Sequence, residues 1–197
     1  MKKLAALVAT LAALLALAGC GDDEEPTNET RTASNGDEFN DADVAFATDM
    51  IQHHAQALSM VDLTLDRPLD PKVQKLAEDI RAAQAPEIEQ MTDWLTAWDE
   101  PVPETVRDHA NAHGDGDMDM GDMPGMMSAE DMAALEDTSD AEFQDMFLEM
   151  MVEHHEGALE MARTEQSDGR FKPAIDLAGS IEVSQTEEIE LMQGLLG

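Results

Sequence analysis

Two stretches of the chain, "MIQHHAQALSMV" at 50–61 and "MVEHHEGALEMA" at 151–162, set two adjacent histidines inside an apolar pattern of helical period. The match extends further. Phe46, Met50, His53, His54, Ala57, Leu58 and Met60 recur as Phe147, Met151, His154, His155, Ala158, Leu159 and Met161. With the spacing unchanged, Leu76, Ala77, Ile80, Gln84, Glu87 and Ile88 recur as Leu177, Ala178, Ile181, Gln185, Glu188 and Ile189. At an offset of 101 residues, 16 of 51 ungapped positions are identical. Such self-similarity marks an internal duplication, so the fold must be assembled from two copies of one unit.

Each unit reads as a helical hairpin, with no convincing strand run. The first helix is expected over 40–65, with Asn40 and Asp41 as caps. The second spans 71–98, with Asp70 as N-cap and Pro71 at the first helical position. Pro86 falls inside it and removes a backbone donor, which predicts a kink. The third begins at "SDAE", where Ser139 and Glu142 suit a capping box, and runs to about 166. The fourth follows "SDGRFKP" and reaches the C-terminus. "SAED" at 128–131 suits a further short helix over 129–136. Short connections make paired helices antiparallel. The expected fold is therefore all-α: a ferritin-like four-helix bundle over 39–197, built from hairpins 39–98 and 139–197 joined by a long crossover at 99–138.

Projected at 100° per residue, His53, His54, His154 and His155 lie within the apolar stripes of their helices, beside Met50 and Met151. On the partner helices Gln84, Glu87, Gln185 and Glu188 also face inward. Unsatisfied burial of such groups is expensive, so they must pair or bind something. One reading is a hydrogen-bonded network in which Glu87 and Glu188 accept from imidazole N–H groups. The other is a metal site. Iron-carboxylate bundles carry Glu-x-x-His; here Met50 and Met151 stand three residues before His53 and His154, so a thioether replaces a hard carboxylate. That shifts the balance from di-iron chemistry toward Cu(I). Adjacent histidines diverge by 100°, so one of each pair is the better ligand and the sequence does not choose which.

The crossover is rich in Gly, Pro, Asp and Met. Met118, Met120, Met123, Met126, Met127 and Met132 crowd into fifteen residues, with His109 and His113 just before them. Linkers ordinarily use Gly, Ser, Pro and Glu. Spaced thioethers instead suit a soft-metal chelator, or a Met-rich surface that packs on the helices. The acids Asp115, Asp117, Asp119 and Asp122 suggest a calcium loop, but Met120 occupies its glycine position and Met126 its bidentate glutamate position.

The N-terminus "MKKLAALVATLAALLALAGC" has a basic start, a short apolar run and "LAGC", the pattern of a lipoprotein signal over 1–19 with Cys20 lipidated. Residues 20–38 are polar and read as a disordered tether. Cys20 is the single cysteine, so a soft site elsewhere must use methionine or histidine. Without residues 1–19 the chain keeps nine basic residues against 44 acidic ones. That balance opposes nucleic-acid binding and favours a solvated acidic surface that concentrates cations.

The segments "DMIQHHAQALSM", "AAQAPEIEQM", "MPGMMSAEDMAALE" and "FLEMMVEHHEGALEMA" together resemble the bacterial domain-of-unknown-function family 305, over nearly all of 40–197. The resemblance implies a ferritin-like helical fold outside the cytoplasm and, for some members, copper binding and tolerance. Three functions follow: a lipid-anchored protein that sequesters or transfers Cu(I); a structural or interaction lipoprotein held by a His–Glu network; and, lowest, a metal-dependent oxidase. No nucleophile–base–orienter set appears. Expected partners are a metal ion, copper or another transition metal, and a bacterial cell membrane reached through lipid on Cys20.

Overall fold

A computed structural model describes residues 29–108 and 123–197. Two short strands, β1 (Arg31–Thr32) and β2 (Glu38–Phe39), precede five helices: α1 (Asp41–Asp62), α2 (Pro71–Trp98), α3 (Ala129–Asp137), α4 (Asp140–Asp168) and α5 (Lys172–Leu196). The fold is all-helical apart from that strand pair. α1 packs on α2 and α4 on α5 as two hairpins, and α1 and α4 join them. No helix among the described residues is long and apolar enough to cross a membrane.

The helix boundaries follow local chemistry. Asn40 caps α1 in a box with Asp43, Asp70 caps α2 ahead of Pro71, and Ser128 caps α3 in a box with Asp131. α2 runs continuously through Pro86. The box expected at α4 does not form. The Ser139 hydroxyl is spent on the Glu142 carboxylate at 2.8 Å and caps no backbone N–H. The strand pair is a second departure, since it lies largely within the expected tether. Arg31 pairs with Phe39 and Thr32 with Glu38, around a turn in which Gly36 has φ +95°. Two-residue strands are too short to leave an alternating pattern, so this pair was not legible. It is anchored by side chains: the Arg31 guanidinium lies over the Phe39 ring, which stacks on Trp98 at 4.6 Å.

The core is divided. One apolar cluster gathers Met60, Leu76, Ile80, Phe143, Phe147, Met151 and Met192. The other gathers Phe46, Met50, Met91, Leu95, Ala162, Ala178 and Ile181. Each draws on opposite halves of α1 and α4, which therefore run antiparallel. The histidine pairs sit at the boundary, halfway along the helices.

The duplication persists in the hydrogen bonds. The Asp70 N–H donates to Gln144 Oε1 at 2.9 Å, and at the positions 101 residues away the Phe171 N–H donates to Asp43 Oδ1 at 2.8 Å. An early side chain of one hairpin's first helix thus caps the second helix of the other hairpin. The two ends differ in charge. Asp43 is fully buried and also accepts from the N–H groups of Asn40 and Arg170. Beside it Glu165 is 1% exposed, and neither of its oxygens has a hydrogen-bond partner of good geometry. Burial, then the adjacent Asp43 carboxyl, raises the Glu165 pKa to about 9. The corresponding positions at the other end, Gln144 and Thr64, are uncharged.

This buried acid makes stability depend on pH with a definite sign. Between the ordinary value of 4.5 and about 9, folded Glu165 keeps its proton and the unfolded chain does not. Its contribution is present in full below 4.5 and is lost as pH rises through that window. We expect Glu165→Gln to gain on wild type as pH rises, with a slope approaching about 1.4 kcal/mol per pH unit. Urea unfolding of both proteins at pH 5, 6.5 and 8 measures the difference; a pH-independent difference contradicts it.

Candidate metal centre

α1 and α4 meet face to face through their histidines. The His53 and His154 rings pack with centroids 3.7 Å apart and a 39° tilt. All four histidines are fully buried. Within each pair the two members have different environments. His54 Nε2 lies 2.7 Å from Glu87 Oε2, and His155 Nε2 lies 2.7 Å from Glu188 Oε2. A carboxylate accepts, so Nε2 of His54 and of His155 carries a proton. Nδ1 of His54 and of His155 has no partner, and no nitrogen of His53 or His154 has one of good geometry, although the backbone carbonyls of Pro124 and His154 lie near the His53 ring and that of His53 near the His154 ring. Six imidazole nitrogens are thus buried without a well-formed hydrogen bond.

The glutamines and methionines complete the layer. Gln84 and Gln185 are each 2% exposed; both polar atoms of Gln84 and the Gln185 oxygen lack partners. Met50 and Met151 are fully buried, stand one helical turn before His53 and His154, and belong to opposite apolar clusters. Burial, then the neighbouring histidines, holds the pKa of His53 and of His154 well below the ordinary value. Both rings are therefore neutral at pH 7, the form in which imidazole binds metals. Among the described residues no three His, Cys, Asp or Glu side chains converge as a ready ligand set. A metal held here by first contacts must therefore recruit thioether sulfur or shift the stacked rings.

The inward placement read from the helical projection holds for His53, His54, Gln84, Glu87 and their counterparts. The His–Glu network forms for His54 and His155 only, and His53 and His154 are left out of it. Of the crossover methionines, Met123, Met126, Met127 and Met132 are described; Met127 is buried in the first apolar cluster and Met132 packs against it. His109, His113, Met118, Met120 and Cys20 lie outside the described residues.

Residues 123–127 lie directly on this centre. The Gln56 side-chain amide donates to the Met127 carbonyl at 2.8 Å, and its oxygen accepts from the Met127 N–H at 2.7 Å. Gly125, at φ +74°, comes so close to α4 that a β-carbon there would stand 2.8 Å from the His154 carbonyl oxygen. A β-carbon on Gly157 would meet the Pro124 carbonyl oxygen at 2.1 Å. The sequence reading missed Gln56, Gly125 and Gly157. Residues 56 and 157 are equivalent positions in the repeat, but positions 51, 52, 55, 59 and 61 also differ from their counterparts there, so the difference alone does not single them out.

The two kinds of histidine should respond oppositely to apolar replacement. His53→Leu/His154→Leu removes four buried nitrogens that have no hydrogen bond of good geometry and takes no donor from a side chain. We expect the metal-free double variant to be at least as stable as wild type, with a gain of about 1–3 kcal/mol. His54→Leu/His155→Leu takes the donors from Glu87 and Glu188 and should lose about 1 kcal/mol or more per site. Urea denaturation in the presence of a chelator compares them. Equal losses would mean that all four histidines serve the fold alike.

A family model described as "Domain of unknown function (DUF305)" matches residues 43–196. No curated protein matches the chain. Among solved structures, a DUF305 fragment from Deinococcus radiodurans is 32% identical, with a TM-score of 0.68, over 85% of this chain and 99% of that one. A DUF305 protein from Streptomyces coelicolor is 34% identical, with a TM-score of 0.67, over 79% of this chain and 90% of that one. A protein named CopM, in its Cu(I)-bound form, is 26% identical, with a TM-score of 0.62, over 78% of this chain and 94% of that one. CopM has also been solved in Cu(II)-bound and Ag-bound forms. With its duplicated His-His helices and a family match that spans both hairpins, the chain belongs to the DUF305 family.

Proposed function

We propose that this protein binds soft metal ions outside the cytoplasm, Cu(I) first among them, and sequesters or hands them on while anchored by lipid at Cys20. On this reading the fold is a ferritin-like four-helix bundle, with the metal centre in the layer between its two apolar clusters. One observation carries the proposal: six imidazole nitrogens without a hydrogen bond of good geometry, on fully buried rings, with the buried Met50 and Met151 one helical turn before His53 and His154. A fold maintained for stability alone has no use for that expense.

The donor set suits the ion. Neutral imidazole and thioether are ligands for Cu(I) and Ag(I), and carboxylate is the donor of harder ions. His54–Glu87 and His155–Glu188 have the arrangement in which a carboxylate fixes a ligand's tautomer and aims its other nitrogen. His53 and His154 supply further lone pairs. The copper- and silver-bound forms of CopM support a soft-metal function in a structural relative. The sequence at 1–20 supports the lipid anchor.

The two His–Glu pairs by themselves favour a second reading, a structural lipoprotein whose network only specifies the core. A metal-dependent oxidase ranks third, because Met50 and Met151 stand where iron chemistry uses carboxylates.

Anaerobic Cu(I) titration against a competing chelator separates these functions. Wild type should take up Cu(I) stoichiometrically, and His53→Leu/His154→Leu and His54→Leu/His155→Leu should each weaken binding by at least about tenfold. A protein that binds no Cu(I) leaves the structural reading. Unaltered binding in both histidine variants, with loss only when Met118, Met120, Met123 and Met126 become leucine, moves the site wholly to the crossover. Metal-dependent consumption of dioxygen promotes the oxidase.

A further inference from the structure

The sequence presents the buried histidines and the methionines of the crossover as separate candidates, with His54 and Met118 64 residues apart. Their packing joins them. Gln56 lies two residues after His54 on α1, and Gly157 two residues after His155 on α4. These are equivalent positions in the duplicated helices, and they act on one segment from two sides. Gln56 is 2% exposed and holds both backbone polar groups of Met127. Gly157 leaves the space that the Pro124 carbonyl fills, and Gly125 rests on the His154 backbone. The Pro124 carbonyl also faces the His53 ring. Met123 and Met126, half-buried, sit in this pinned segment beside Pro124 and Gly125.

Side chain for side chain, this docking is more than a loop needs. A backbone-to-amide pair buried at 2.7 and 2.8 Å specifies register, because a shift of one residue breaks both bonds. A duplicated hairpin supplies two equivalent faces, and a single crossover can cover only one. The Gln-to-Gly difference at 56 and 157 is what adapts two copies of one helix to a single asymmetric segment.

Resting on the soft-metal reading above, we infer that Gln56 is a positioning residue of the metal centre: it holds residues 123–127 against the buried histidines, so that the Met123 and Met126 thioethers and the imidazoles form one composite soft-metal site.

The test uses the full chain, Ag(I) as probe in competition titrations, and X-ray absorption of the Cu(I)-loaded protein to count sulfur neighbours. Gln56→Ala breaks both bonds to Met127, and Gly157→Ala displaces Pro124 without touching any proposed ligand. Each should weaken Ag(I) binding by about tenfold or more, the size of effect known for groups that orient metal ligands. Each should also lower the sulfur count at Cu(I), a change that general loosening of the fold does not predict. Gln56→Glu, which still accepts from the Met127 N–H, should fall between. Met123→Leu/Met126→Leu should match Gln56→Ala, and adding Gln56→Ala to it should have no further effect. Wild-type affinity and sulfur count in both Gln56→Ala and Gly157→Ala overturn the inference. So does wild-type Ag(I) affinity in Met123→Leu/Met126→Leu, which decides the matter even if the other variants fold poorly. Failure of the underlying reading looks different: there, wild type itself does not bind Ag(I).

Discussion

The tilted packing of His53 on His154 is the contact around which the molecule is arranged. Two long helices can approach through bulky aromatic nitrogen heterocycles only if the surrounding core holds them there, because the rings bring unsatisfied nitrogens with them. The core does so from both sides. One apolar cluster lies toward Phe143 and Phe147, the other toward Phe46 and Trp98. The polar layer is thus clamped between two packed regions, each drawing on all four long helices. Tight packing of this kind resists local relaxation. It is what keeps six nitrogens dry instead of letting the helices part and admit water.

Duplication explains how such a layer arises and where it must depart from symmetry. A hairpin carrying one His-His pair, one inward Gln and one Glu becomes a complete layer when it packs against its own copy. The conserved geometry of the two halves is visible in His54–Glu87 and His155–Glu188, both at 2.7 Å and both across 33 residues of sequence. Asymmetry enters wherever the chain does something only once. The crossover docks once, and residues 56 and 157 differ. The α4–α5 turn closes over Asp43 and Glu165, where the α1–α2 turn has Gln144 and Thr64. Arg67 is likewise used once: its guanidinium donates to the carbonyls of Glu136 and Thr138 and lies over Phe143, tying the α1–α2 turn to the end of α3.

Much of this was legible because it is periodic or local. Helix positions follow from apolar spacing, and α2 starts where Asp70 and Pro71 require. The inward turn of Gln84 and Glu87 follows from the same wheel that buries Ile80 and Met91. What stayed hidden depends on contacts between distant segments. Asp43 reads as an ordinary capping residue, and nothing local shows that it also receives the N–H groups of Arg170 and Phe171. Ser139 and Glu142 have the spacing of a capping box, yet two side chains that can bond each other need not bond the backbone. Which histidine of each pair meets a glutamate depends on the rotation of α2 against α1, a quantity that a helical projection of one helix does not contain.

Charge and burial together give the proposed site its selectivity. The chain carries a formal charge of −33, and an acidic surface raises the local concentration of every cation, hard or soft. The surface therefore cannot discriminate. Discrimination falls to the layer, where an ion must shed its water before it gains a ligand. A divalent ion loses far more hydration energy than a monovalent one on entering a poorly solvated interior, and neutral nitrogen and sulfur donors return less of it than carboxylates would. The carboxylates at hand, Glu87 and Glu188, are already engaged by His54 and His155 and sit partly exposed at 18% and 17%, behind the rings and not among them. Placing the acids behind the imidazoles keeps the donors oriented and the innermost contacts neutral and soft. On the proposed reading, placing the acids outside the imidazoles is what lets a protein this acidic hold a singly charged soft ion in preference to the divalent ions its own surface gathers.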